Sequence, residues 1–103
     1  MKYAQRRDNN EPELIRLAKR LGWRCWQVQV PRNADDLACD WIGLRRGVWR
    51  TIEIKNPDCQ GHADEYTALE RMFIAEAHKY GGEVLIWRTV EDVMRDSQAR
   101  QTA

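Results

Sequence analysis

The sequence predicts a single-domain α/β fold with elements in the order αβββαβα. Three observations lead there. Apolar residues recur at helical spacing in two stretches, with strand-like segments between them. Arg45-Arg46-Gly47 joins two of those segments as a short hairpin turn, and Gly81-Gly82 separates the second helix from a last strand. At 103 residues, 43% hydrophobic and 32% charged, the chain is long enough for one modest core and too short for two.

Leu14, Leu17, Ala18 and Leu21 repeat at helical spacing, Pro12 suits a first turn and Gly22 a stop, so a helix is expected over residues 11–21. Residues 24–30 alternate as a strand and residues 31–36 read as a loop. Residues 41–44 and 48–54 form adjacent antiparallel strands around the turn, where Gly47 supplies a positive φ. A second helix is expected over residues 64–80, with Tyr66, Leu69, Phe73 and Tyr80 on one stripe. A strand follows over residues 83–87, then a short C-terminal helix capped by Thr89 and running through Met94. The domain is expected to span residues 1–96, with residues 97–103 a disordered tail lacking an apolar face.

No run approaches the ~20 apolar residues of a membrane span, and the N-terminal residues do not read as a secretory segment. Three widely spaced cysteines suggest no disulfide framework, so a cytoplasmic protein without membrane contact is expected. The net charge of +1 divides unevenly, as +4 over residues 1–24, +1 over 25–55 and −4 over 56–103. Arg6, Arg7, Arg16, Lys19 and Arg20 lie in the positive part, and the last three share one helix face. They are candidate phosphate contacts, with a plain solvated face the open alternative.

Glu53 and Lys55 flank Ile54 on a strand, so the period of two sends both side chains to one face. The hairpin brings Asp40, at the start of one strand, beside Glu53 near the end of the next. Glu11 stands at the edge of the first helix's packing face, so three acids are expected to converge on one rim. Neighbouring carboxylates repel unless a proton or cation lies between them, and hard oxygen ligands suit Mg²⁺ or Mn²⁺. On the residues alone an ordinary ion pair on a solvated strand face stays open. So does Asp36 as a rival to Asp40, although its separation from Glu53 overruns a short hairpin. Cys59-x-x-His62 with Cys39 or His78 is a weak zinc candidate lacking a second paired ligand word. Five tryptophans are many for one small domain; most read as core or interface, and one exposed ring stacking on an unpaired base is the alternative.

With these residues in this order, the chain resembles the PD-(D/E)XK nuclease superfamily, and more closely the small stand-alone VRR-Nuc and Holliday-junction-resolvase-like nucleases of phages and prophages. The resemblance covers about residues 6–94. It rests on Arg6-Arg7-Asp8-Asn9-Asn10-Glu11-Pro12-Glu13-Leu14-Ile15, on Cys39-Asp40-Trp41-Ile42-Gly43, on Gly47 and on Glu53-Ile54-Lys55. It implies a restriction-endonuclease-like αβββαβ core with a mixed central sheet flanked by helices. It also implies a homodimer in a bacterial or phage-infected cytoplasm that hydrolyses DNA phosphodiester bonds with Mg²⁺ or Mn²⁺, branched DNA such as Holliday junctions being the preferred substrate. Carried over residue by residue, Asp40 and Glu53 become metal ligands together with the Ile54 backbone carbonyl. Lys55 becomes the catalytic base or electrostatic partner, and Glu11 the first-helix acid and a further ligand. Cys39 stands where the family usually has proline, Gly43 comes three rather than four residues after the aspartate, and Glu70 replaces the usual glutamine of Thr-x-x-Gln. A nuclease-fold module that binds DNA or a protein without cutting, and a nuclease acting on RNA, remain alternatives.

Overall fold

The computed structural model describes residues 10–28, 39–63 and 65–98. Arg6, Arg7, the last residues of the expected first strand, Asp36 and Asp64 lie outside them, as do residues 99–103. Helix α1 spans Glu11–Arg20, and strands β1, β2 and β3 span Arg24–Gln27, Trp41–Arg45 and Val48–Ile54. A 3₁₀ turn at Pro57–Cys59 leads to α2, Ala68–Lys79, then β4, Val84–Trp87, and α3, Val90–Gln98. The chain is therefore α/β, with a four-stranded mixed sheet in the order β1-β2-β3-β4, antiparallel except for the parallel β3–β4 pair. Among the described residues no helix is long and apolar enough to cross a membrane.

The β2–β3 turn is tighter than expected. Arg45 belongs to β2, and the two turn residues are Arg46 and Gly47, with φ of 52° and 80°. This is the positive-φ pair that a two-residue hairpin requires. Arg45 is buried on the core face, where its Nε donates to the Leu21 carbonyl (2.9 Å) at the C-terminus of α1.

Strand alternation sorts the sheet into two faces. Cys25, Gly43, Ile52, Ile54, Leu85 and Trp87 face Leu14, Ile15 and Ala18 of α1, Val93 of α3 and Trp23. A Cβ on Gly43 would lie 2.8 Å from Ile52 Cδ1 and 2.9 Å from Trp23 Cε3, so only glycine lets Trp23 settle onto the sheet. Trp23 and Trp87 meet edge to face at 5.4 Å, and both indole N–H groups are satisfied from α3, by Ser97 Oγ (2.8 Å) and Asp96 Oδ2 (2.9 Å). With these contacts the last helix runs past its expected end at Met94 and takes in Ser97 and Gln98, the first two residues of the expected tail; the rest of that tail lies outside the described residues. The helix runs to Gln98 because Ser97, small and buried, fits beneath the Trp23 indole.

The opposite face carries Arg24, Trp26, Ile42, Leu44, Trp49, Thr51, Glu53, Val84 and Ile86. Helix α2 starts at Ala68 rather than at residue 64, because Thr67 and Glu70 form a capping box that fixes its first turn. Its expected apolar stripe is not a core face. No residue of α2 is buried, and Leu69, Met72 and the following Tyr80 are exposed.

Candidate functional site

One corner of the fold gathers the start of β2, the end of β3 and the N-termini of two helices. Asn10, the N-cap of α1, ties that corner together, its Nδ2 donating to the carbonyls of Lys55 (3.1 Å) and Arg88 (2.8 Å). Arg88, just past β4, holds Glu65 (2.8 Å) and the Tyr66 hydroxyl (3.2 Å) ahead of α2.

The Asp40 backbone N–H donates to the Ile52 carbonyl (3.2 Å), extending the Trp41–Ile52 register by one residue, so Asp40 stands across from Glu53. Asp40 Oδ2 accepts from the Ile54 N–H (3.0 Å). Glu53 is 0% exposed, and neither of its carboxyl oxygens has a donor among the described residues. Lys55 Nζ lies 2.7 Å from Glu70 Oε1 and 4.8 Å from the centre of the Tyr66 ring. Glu70 Oε1 also accepts from the Thr67 N–H (3.0 Å), so one oxygen serves both the helix cap and the lysine.

Electrostatics follow from this packing. Burial, then the charges of Asp40 and Glu70, push Glu53 up to about 9 against the opposing effect of Lys55. Protonated, Glu53 can donate to Asp40, which raises it further. Burial pulls Lys55 down, but the hydrogen bond and charge of Glu70, with Glu53 and Asp40, outweigh it, and the ammonium ends above its ordinary value. Buried Cys39, next to Asp40, is pushed up to about 11 by burial, then by Glu53 and Asp40, and so stays a thiol.

The structure thus brings Asp40, Glu53 and Lys55 together as the hairpin and strand period anticipate. Glu11 Oε2 accepts from the indole of Trp41, the residue after Asp40 (2.7 Å), and the second carboxylate acting on Glu53, beside Asp40, is Glu70. Sequence reasoning registers Glu70 only as a replaced glutamine, although Thr67-x-x-Glu70 carries the capping-box signal that places it. Arg16, Lys19 and Arg20 are exposed on α1, which packs on the sheet face opposite Glu53, so they do not line the same side as the site. Among the described residues no three His, Cys, Asp or Glu side chains cluster as a metal-binding group, and the zinc candidates Cys59, His62, Cys39 and His78 form none. Comparison with protein-family models, with curated proteins and with solved structures found no match to the chain.

Proposed function

We propose that the chain is a divalent-metal-dependent endonuclease with a restriction-endonuclease-like core of the PD-(D/E)XK class, hydrolysing DNA at the Asp40, Glu53 and Lys55 corner. Glu53 carries the reading, as a fully enclosed carboxyl group with no donor for either oxygen among the described residues, across from a second carboxylate. A core gains nothing from such a group, since an apolar side chain of similar volume is cheaper to bury. The donors fit a hard cation. The carboxylates of Asp40 and Glu53 are joined by the Ile54 carbonyl, which points to the same strand edge as the Ile54 N–H bound by Asp40. Mg²⁺ and Mn²⁺ take one or two carboxylates and complete their shells with water and substrate oxygens, so three clustered side chains are not required. When bound, the ion supplies Lewis-acid activation of the phosphodiester and of the attacking water. Lys55 remains a cation, so its part is to offset negative charge growing on the scissile phosphate, and Glu70 holds its ammonium in position.

Four-way-junction DNA, linear duplex, single-stranded DNA and RNA, each incubated with the protein in Mg²⁺, Mn²⁺ or EDTA, test the assignment. Ion-dependent cleavage of DNA, fastest on the junction, is expected. No cleavage of any substrate overturns it, and the lysine held by Glu70 then favours a module that binds without cutting. Cleavage confined to RNA reassigns the substrate.

A homodimer belongs to the same proposal, because an α2 with no buried residue and with Leu69, Met72 and Tyr80 exposed leaves apolar surface that a second copy can cover. Light scattering is expected to give a mass near twice the 12.2 kDa chain, and a monomer at micromolar concentration overturns it.

A further inference from the structure

We infer that the sheet face bearing Glu53 also carries a stacking shelf for an unpaired nucleobase, built from Trp26 and Trp49 with Arg24 at its rim; the ligand class rests on the nuclease reading above. Trp26 is 40% and Trp49 59% exposed, and their rings stack at 5.7 Å with 28° between planes. The Arg24 guanidinium lies 4.7 Å from the centre of the Trp26 ring. Two large rings left in solvent side by side forgo apolar burial that a core position would give them, and half-buried Ile42 and Leu44 continue the patch between them.

Charge and position identify the occupant. Among the described residues, the strand positions forming this part of the face are Arg24, Trp26, Ile42, Leu44, Trp49 and Thr51, which include a cation and no acid, and Arg46 stands exposed at the adjoining turn. Aromatic rings beside cations are how single strands are held without sequence reading, since every base offers a π-face and every nucleotide a phosphate. Trp49 lies four residues before Glu53 on the same face of β3, about 13 Å along the strand, so a backbone crossing the Glu53 corner passes the shelf within a few nucleotides. Arg24 covers Trp26, which leaves Trp49 as the ring a base can reach. A paired base in a duplex is already stacked on both sides, so only an unpaired, terminal or splayed base can use the shelf. Within branched DNA, the shelf therefore favours unpaired, terminal or splayed nucleotides beside the cut, such as a base splayed at the branch point.

Fluorescence anisotropy in EDTA, with a labelled oligothymidylate and a blunt duplex of equal length, separates binding from cleavage. Trp49→Ala is expected to weaken single-strand binding about 5- to 100-fold, the effect of losing one base–aromatic stack, and to change duplex binding less than about twofold. Trp49→Phe should keep most of the affinity, and the exposure of Trp49 lets all three proteins fold. Equal losses on both ligands, or none, overturn the shelf. So does a fall in mass by light scattering without a single-strand-selective loss, which makes the face a contact between copies. A protein that binds single strands through Trp49 and never cuts overturns the nuclease reading alone. One that cuts while Trp49→Ala binds like the parent overturns the shelf alone.

Discussion

Asp40→Asn and Glu53→Gln are each expected to lower the single-turnover cleavage rate at saturating Mg²⁺ by about 10²-fold or more, with the fold intact. Both replacements keep shape and remove charge. In Asp40→Asn the side-chain carbonyl can still accept from the Ile54 N–H, the bond that now joins Asp40 to β3 at 3.0 Å, so a loss of rate reports the missing charge rather than a displaced strand. Lys55→Ala should cost a similar factor, because no other cation among the described residues is placed against Glu53 in the balance of charges that sets its titration. Glu70→Gln is a milder change. The amide oxygen can keep both the Thr67 cap and the Lys55 contact while the charge is lost, so a rate within about tenfold of the parent is expected. Asp36→Asn should leave the rate unchanged. Parent-like activity in Glu53→Gln, or in EDTA, refutes the metal-dependent mechanism.

The hairpin and its acids are legible in the sequence because both depend on local rules. A short hairpin and a period of two bring Asp40, Glu53 and Lys55 to one face, even though the turn is one residue tighter than the sequence suggests. What escapes depends on contacts distant in sequence. Residues 95–98 are polar and show no apolar stripe, and they are helical because Ser97 and Asp96 answer the indoles of Trp23 and Trp87, the first 74 residues away from its partner. The five tryptophans cannot be sorted by composition. Parity sorts them once Gly43 is known to lie under Trp23, since Trp49 shares Glu53's face and Trp26 sits across from Ile42. Glu70 is hidden for another reason. Its capping signal explains one partner, Thr67, and nothing in the linear spacing announces that the same oxygen reaches Lys55 fifteen positions earlier.

Glu53→Gln is further expected to make the metal-free protein more stable above about pH 8 and to flatten its stability between about pH 5 and 9. Burial, then Asp40 and Glu70, raise Glu53 from an ordinary 4.5 to about 9. Between those values the folded protein holds a proton that the unfolded chain has released, so folding takes one up and becomes less favourable as pH rises. The contribution is complete below the unfolded value and is lost as pH climbs through the folded one, with a slope of at most about 1.4 kcal/mol per pH unit. Cys25 and Cys39, both pushed up to about 11 from 9.0, add a slope of the same sign only above pH 9, outside this window. A glutamine has no proton to exchange, and its amide N–H₂ can donate to Asp40, so the variant loses the slope and the cost of an enclosed acid together. Mg²⁺ is expected to work from the other side, because a cation held by ionised Glu53 would displace the proton and stabilise more as pH rises. Urea midpoints of parent and variant from pH 5 to 9, with and without Mg²⁺, measure all of this. A parent curve that is flat without metal, or a Glu53→Gln curve as steep as the parent's, means that Glu53 is ionised in the folded protein and that an enclosed, protonated carboxyl group is not what organises this corner.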